Sequence, residues 1–190
     1  LNGGAPLFIA DNARPAAPSL TAGANLRVVG ANVLNYFNQF AGCTNGVGGV
    51  GTACRGADNQ AEFDRQADKI VAGLLGLNAD VIGISEMQNN GYGPASAIQN
   101  LIDRLNAVAG AGSYAFIDVD AATGQINALG TDAIKVGFLY RPARVTVVGQ
   151  PAALNTGALG LFQTGTGSIQ RNRPALAATG EPQTGPDPRG

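Results

Sequence analysis

Two short apolar runs constrain the fold of this chain most strongly. The first spans residues 26–34 and carries Asn32, and the second spans residues 79–85 and is followed by Glu86. Short runs rich in β-branched residues are typical of buried strands. The segment between them has a helical pattern, so together they predict two parallel strands joined by a helix. Ligands of open α/β sheets bind just beyond the strand ends. The amide and the carboxylate delivered there predict half of a metal and phosphate site.

The connecting segment carries start and stop signals of a helix over residues 60–77. Asn59 can cap its first turn, with Glu62 three residues later reaching back as in a capping box. An apolar stripe with helical spacing faces one side (Phe63, Ala67, Ile70, Val71 and Leu74). Asn78 fits the helix exit. The charged residues lie off the stripe and are interpreted as a solvated face, with no role in a site.

The rest of the chain predicts a second helix and further strands. The helix follows Pro94 and ends at Gly110. The expected strands are a single strand at 114–119, a hairpin of 134–140 with 145–148, and a strand that starts over 175–179. Residues 1–24 are interpreted as a linker, because Pro recurs among small residues. Residues 180–190, with three Pro and three Gly, are expected to be disordered.

Cys43 and Cys54 lie in a Gly-, Asn- and Thr-rich loop. Such a loop is too polar to bury free thiols, and a disulfide there would close a small ring worth roughly 2–3 kcal/mol. Zinc is the alternative, but the sequence has no His and no further Cys to complete four ligands. A disulfide would imply an oxidising compartment.

Six motifs, taken in order, resemble the endonuclease/exonuclease/phosphatase superfamily, and more closely its secreted bacterial nucleases. They are the N-V-L-N-Y-F strand end at 32–37, the cysteine loop, R-G-A-D at 55–58 with E-F-D-R-Q at 62–66, A-D-V-I-G-I-S-E at 79–86, D-A-I-K-V-G-F-L-Y-R-P at 132–142 and N-R-P-A-L at 172–176. The resemblance covers about residues 25–179, which would form a partial catalytic domain.

The resemblance implies a fold, an activity and a location. The fold is of the α/β (α+β) class, a four-layer α/β/β/α sandwich of the deoxyribonuclease I-like type, here represented by about its N-terminal half. The activity is metal-dependent hydrolysis of phosphodiester bonds in DNA or RNA, with Mg²⁺, Mn²⁺ or Ca²⁺ as cofactor. The enzyme is expected outside the cell or in the periplasm, without a membrane partner.

The same resemblance assigns roles at the two strand ends. Glu86 becomes the metal ligand, against the alternative of a solvent-exposed strand-end carboxylate. The Asn32 amide is expected to bond a phosphate oxygen or to hold the Glu86 carboxylate, against the alternative of a turn residue. Asn is depleted in strands, which favours the site role. Asn35 is interpreted as structural.

Further candidates lie later in the chain. Arg173 is expected to make bidentate contacts with the scissile phosphate, with the register among Arg171, Asn172 and Arg173 left open. Asp132 is a candidate for substrate binding or for support of the site, against the alternative of a turn residue. The polar run at 88–90 beside Glu86 is expected to touch substrate.

Composition narrows the choice of chemistry. The sequence has 190 residues, a net charge of −1 and no basic stripe, which counts against a tight non-specific nucleic-acid binder but not against a metal-dependent nuclease. Without His, no Ser-His-Asp or Cys-His arrangement exists. The Gly-rich stretch at 46–51 lacks the Lys of a phosphate-binding P-loop. No apolar stretch approaches the ~18 residues of a membrane span. The start has no signal-peptide pattern, and Leu1 indicates a mature or trimmed product.

The resemblance is also incomplete. The N-H-[FL]-K-S and G-D-[FL]-N strands and the final D-H pair of the superfamily are absent, so the C-terminal half of the domain is expected to be missing and this chain alone to be inactive. Two alternatives stay open. One is a catalytically dead secreted binding module, and the other is a phosphoesterase of lipid or inositol headgroups. The cysteine loop and the 55–58 motif favour the nuclease.

Overall fold

The structure is a computed structural model that describes residues 23–154 and 174–183. The elements within these ranges are β1 (Val28–Tyr36), α1 (Gln60–Leu77), β2 (Val81–Gln88), α2 (Ala97–Ala109), β3 (Ala115–Phe116), α3 (Val119–Thr123), β4 (Ile134–Tyr140), β5 (Val145–Leu154) and β6 (Ala175–Pro182). One sheet has the order β1-β2-β4-β3, and a second pairs β5 with β6. The fold is therefore of mixed α and β class, as predicted.

The predicted βαβ unit is confirmed. β1 and β2 pair in parallel, with Val28 opposite Val81, and α1 has the predicted bounds. The Asn59 side chain accepts a hydrogen bond from the Glu62 backbone N–H at 3.1 Å. The Glu62 carboxylate reaches back to the N–H of Asp58, also at 3.1 Å. Asn78 ends the helix in the left-handed conformation.

The core lies between the four-stranded sheet and the pair α1 and α2. The predicted stripe of α1 is buried there except for Ile70, which is partly buried, and so are Ile98, Leu101 and Leu105 of α2. Alternate residues of β1 and β2 supply the sheet side of this core, among them Val33, Ile82 and Ile84. On the opposite face of β1, Val28 is 64% exposed. Within the described residues, no layer covers that part of the sheet.

A buried ion pair ties the start of the sheet together. Asp80, which is fully buried, accepts hydrogen bonds from the Arg27 backbone N–H at 2.8 Å and from Arg144 Nε at 3.3 Å. The Arg144 guanidinium also donates to the Asn25 carbonyl at 2.9 Å. A buried carboxylate needs such partners, because desolvation of an unpaired charge is costly. The pair lies at the amino ends of β1 and β2, away from the predicted site.

The predicted hairpin is wrong. β4 pairs with β2 on one side and with β3 on the other, so neither of its edges is open to β5. The turn after β4 closes with hydrogen bonds from Arg144 and Val145 to the Arg141 carbonyl. β5 then leaves the sheet and pairs with β6 in antiparallel fashion.

Two other boundaries differ from the predictions. The strand expected at 114–119 shrinks to β3, because the Asp118 side chain caps α3 by accepting from the Ala121 N–H at 2.9 Å. β6 continues to Pro182, so residues 180–182, which were expected to be disordered, pair with the start of β5. Residues 1–22 of the predicted linker and 184–190 of the predicted tail lie outside the described residues. Across the described ranges, no helix has the length and apolar character needed to cross a membrane.

Candidate functional site

The carboxyl ends of β1 and β2 meet at one edge of the four-stranded sheet. Asn32 lies opposite Ser85 in the parallel register, and Glu86 is the next residue of β2. Pairing is irregular at this place in both ladders, between Asn32 and Tyr36 on β1 and between Ile84 and Met87 on β2. Such bulges re-aim side chains and are common beside active sites.

Backbone strain concentrates at the same edge. Leu34, Asn35 and Glu86 have φ angles of 55°, 52° and 63°, three of the five non-glycine residues with positive φ in the described part of the chain. Left-handed conformations of non-glycine residues cost on the order of 1–3 kcal/mol each and cluster at functional sites. All three occur where Asn32 and Glu86 come together, which identifies this edge as the candidate site.

The strained backbone of β1 holds the Glu86 carboxylate. The Asn35 backbone N–H donates to Glu86 Oε2 at 3.2 Å. Glu86 is half-buried, and within the described residues its second carboxylate oxygen accepts no hydrogen bond. The carboxylate is therefore fixed through one oxygen and leaves the other available to a ligand.

Asn32 makes a local turn contact. Its Oδ1 accepts from the Leu34 N–H at 2.8 Å, so the turn role that the sequence left open is present in the structure. The Asn32 side chain does not hold the Glu86 carboxylate, because the Asn35 backbone does so. The exposed Asn32 amide NH₂ has no hydrogen-bond acceptor among the described residues, so its predicted contact with a phosphate oxygen stays a prediction.

Gln66 of α1 supports the strained turn and was missed by the sequence reasoning. Its Nε2 donates to the Leu34 carbonyl at 2.7 Å and approaches the Val33 carbonyl at 3.5 Å. It satisfies backbone groups that the bulge removes from the sheet ladder. The signal is its place in the 62–66 motif, but the pattern of α1 gives a role only to the apolar stripe and to the charged residues.

Two of the three residues in the polar run after Glu86, which is expected to touch substrate, are buried. Gln88 and Asn89 are 1% and 3% exposed. Gln88 accepts from the Asn38 N–H at 3.0 Å and donates to Gln39 Oε1 at 2.6 Å. Asn89 donates to the carbonyls of Gly130 and Asp132 at 2.9 and 3.0 Å. Both buried amides have the hydrogen-bond partners that burial requires. Because these partners lie in loops, the two side chains attach those loops to the carboxyl end of β2.

Asp132 lies at the start of β4 beside these loops. Its Oδ1 is 3.4 Å from the Arg55 guanidinium and also accepts from the Ile134 N–H at 3.4 Å. Asp132 thus combines its turn role with an ion pair to the motif at 55–58. The predicted residues Arg171, Asn172 and Arg173 lie outside the described residues.

The predicted disulfide between Cys43 and Cys54 is present, with Cα atoms 5.3 Å apart. Both thiols are used, so the zinc alternative is excluded for these residues. Gln88 Nε2 lies 3.6 Å from Cys43 Sγ, which places the crosslink against the strand that carries Glu86.

At the carboxyl ends of β1 and β2, the carboxylate available to a divalent ion is that of Glu86. No group of three or more His, Cys, Asp or Glu residues that could hold a metal occurs within 23–154 and 174–183. Ca²⁺ takes six to eight oxygen ligands from carboxylates, carbonyls and water. Mg²⁺ commonly binds through one or two carboxylates with water and substrate phosphates completing its shell. The Glu86 carboxylate, in which one oxygen accepts from the Asn35 N–H, fits a Mg²⁺ ion that is bound in this way.

No protein-family model matches this chain, and no curated protein matches it. The family resemblance therefore rests on the sequence motifs described above.

Proposed function

We propose that this chain contributes the first half of the active site of a metal-dependent nuclease that hydrolyses phosphodiester bonds in DNA or RNA. The observation that carries the proposal is the Glu86 carboxylate, held by the Asn35 N–H at 3.2 Å where strain and bulges converge. Strain of this kind persists only where the surroundings enforce it, and it is typical of preorganised sites.

Each residue of the site has a distinct task in this proposal. Glu86 would hold Mg²⁺, while the Asn35 N–H fixes the orientation of the carboxylate. The Asn32 NH₂ donates to a non-bridging phosphate oxygen. Gln66 keeps the turn rigid through the Leu34 carbonyl. A bound Mg²⁺ would supply Lewis-acid stabilisation of charge on the phosphoryl oxygens. Arg173, or its neighbours Arg171 and Asn172, would bind the same phosphate from outside the described residues.

The architecture is consistent with a partial domain. One face of the four-stranded sheet is covered by helices, while Val28 on the other face is 64% exposed. In the proposed four-layer sandwich, a second sheet covers that face, and the pair β5 and β6 is its beginning. The disulfide is compatible with a secreted enzyme.

A catalytically dead binding module is the second candidate. The sequence contains no His, and within the described residues Glu86 has no acidic neighbours that would complete a metal cluster. A general base contributes about 10²–10⁴-fold to rate. On the present chain we therefore expect binding without measurable turnover.

A plasmid-nicking assay with Mg²⁺ tests the proposal on the complete gene product and on this chain. The complete product is expected to nick, and Glu86→Gln to remove most activity because the amide lacks the charge that binds the metal. Glu181→Gln, an exposed carboxylate on β6, is the matched control and should nick like the wild type. Equal nicking by Glu86→Gln, or no nicking by the complete product, contradicts the nuclease. Nicking by the 190-residue chain itself contradicts its assignment as an inactive half.

A further inference from the structure

The motif at residues 55–58 packs directly against the turn that holds Glu86. A Cβ atom on Gly56 would stand 2.7 Å from Phe37 Cβ and 2.9 Å from the Asn35 carbonyl oxygen. Gly56 does not have a left-handed φ, so glycine is not required here by backbone conformation. It is required because a side chain would prevent the close approach of this segment to Asn35 and Phe37. The N–H of the same Asn35 donates to the Glu86 carboxylate. The neighbouring residue Arg55 is thus carried to the edge of the candidate site.

The backbone of Arg55 is fixed from both sides. Cys54, immediately before it, is crosslinked to Cys43, and Gly56, immediately after it, is packed without spare room against β1. An arginine held between a crosslink and a close backbone contact loses little backbone freedom when it binds a ligand. Such preorganisation is what a binding residue requires.

Among the described residues, the partner of the Arg55 guanidinium is Asp132. Its NH1 lies 3.4 Å from Asp132 Oδ1, and the two side chains are 42% and 38% exposed. A guanidinium has five N–H donors, so one long contact leaves donors for a second anion. A half-exposed ion pair adds little to the stability of the fold, so stability does not account for the pair of Arg55 and Asp132.

Three other described cations have partners of their own. Arg104 pairs with Asp64 and Asp68 on the helices, and Arg144 pairs with Asp80 at the opposite end of the sheet. The amine of Lys135 is buried over the ring of Tyr92. Two described segments touch the turn at Leu34 and Asn35, through Gly56 next to Arg55 and through Gln66 next to Arg65. Of the two arginines, Arg55 pairs with Asp132 near the start of β4.

We infer that Arg55 binds a backbone phosphate of the nucleic acid beside the Glu86 carboxylate. This inference rests on the proposed function. It gives the 55–58 motif a chemical role. Arg suits the role, since its planar fork donates two parallel hydrogen bonds to a phosphate.

Salt-dependent DNA binding tests the inference. A fluorescently labelled DNA duplex is titrated with the protein in EDTA, which prevents cleavage, and anisotropy is followed from about 50 to about 200 mM salt. Arg55→Gln is expected to weaken binding and to reduce the slope of log K against log salt by about 0.9, the value of one phosphate contact. Arg55→Met should behave the same. Arg55→Lys should restore the slope but not the full affinity, because it keeps the charge and loses the fork.

Lys69→Gln is the charge-matched control, since Lys69 is exposed on α1, and it should keep the wild-type slope. Melting temperatures of all variants should match the wild type. If wild-type protein binds DNA and Arg55→Gln binds with an unchanged slope, the inference is wrong and the proposed function stands. If wild-type protein fails to bind DNA at the lowest salt, the proposed function is wrong and the inference falls with it.

Discussion

At the carboxyl edge of the sheet, the room for a side chain restricts which residue can occupy a position as much as its chemistry does. Gly56 approaches β1 so closely that any side chain would meet Phe37 and the Asn35 carbonyl within 3 Å. The close approach sets the position of the turn that holds Glu86, so the glycine links packing directly to the site.

Gly56→Ala is therefore expected to destabilise the fold by about 1–3 kcal/mol, the usual cost of overpacking. Gly73→Ala is the control. Gly73 lies in α1, and a Cβ atom added there would meet nothing within 4 Å, so alanine should stabilise the helix by about 0.5–1 kcal/mol. Urea unfolding of both variants measures the difference. Equal stability of the two variants would show that the close approach at Gly56 costs nothing.

Lys135 gives the molecule a pH-dependent stability. Its side chain is 1% exposed, and burial lowers its pKa to about 7, against the opposing pull of Asp120 and Asp118. The Gly91 carbonyl, 2.8 Å from Nζ, and the Tyr92 ring also favour the charged amine. In the unfolded chain the pKa returns to about 10.4.

Between pH 7 and 10 the unfolded chain therefore binds a proton that the folded chain has released, so stability rises with pH in this window. The rise from this residue is at most about 1.4 kcal/mol per pH unit. Above that window, burial of Tyr36 and Tyr92, which raises the pKa of both phenols, reverses the trend. Urea unfolding at several pH values should show the rise, and Lys135→Met should abolish it. The same rise in Lys135→Met would assign it to other groups.

The cysteine loop is the element through which oxidation or reduction can act on the site. The Cys43–Cys54 disulfide lies beside Gln88 on the strand of Glu86 and directly precedes Arg55. Within the ring, Thr44 and Gly51 form a β-bridge, which gives the loop its own short pairing.

Replacing both cysteines with serine should cost roughly 2–3 kcal/mol, because the unfolded chain regains the entropy of an open loop. Thiol labelling of denatured, unreduced wild-type protein is expected to find no free thiol. A reductant should lower the melting temperature of the wild type and leave the double variant unchanged. Two labelled thiols in unreduced protein would contradict the crosslink, and an identical response of both proteins to reductant would contradict its contribution.

Among the secondary-structure elements, local sequence signals predicted some well and others poorly. α1 was predictable because Asn59, Glu62, Asn78 and the apolar stripe agree on its bounds. The parallel pair β1 and β2 followed from their β-branched runs. The partner of β5 was not predictable, since nothing near residues 141–144 reveals that β2 and β3 occupy both edges of β4. Long-range pairing depends on the whole sheet, and local turn chemistry does not encode it.

For the site, the sequence identified residue types but not their contacts. The polar ends of two strands predicted that Asn32 and Glu86 would lie at one edge, and the register places Asn32 opposite Ser85. The bulges give the two asparagines roles that differ from the predicted ones. The Asn35 backbone holds Glu86, and the Asn32 side chain closes a turn. Gln66, Gln88 and Asn89 gained structural roles through contacts that no local pattern shows.

The whole molecule presents a sheet that is covered by helices on one face and only in part on the other. Helices cover the face with Ile82 and Ile84, and on the opposite face Val136 of β4 packs in one cluster with Ala153 of β5 and Leu176 of β6. At the β1 end of that face Val28 is exposed within the described residues, although sheet faces are normally covered by another layer. The proposed C-terminal half would cover it and would complete the site above Glu86.

Paramagnetic mapping with Mn²⁺ tests the central claim, that the carboxyl edge of β1 and β2 binds a divalent ion through Glu86. Amide spectra of the ¹⁵N-labelled chain are followed during titration with Mn²⁺ and again with an excess of Mg²⁺. We expect the amides of Asn35 and Glu86 to broaden first, Mg²⁺ to restore them, and Glu86→Gln to remove the effect while the rest of the spectrum stays folded. Broadening centred on Asp118 and Asp120 instead, or unchanged broadening in Glu86→Gln, would contradict the account.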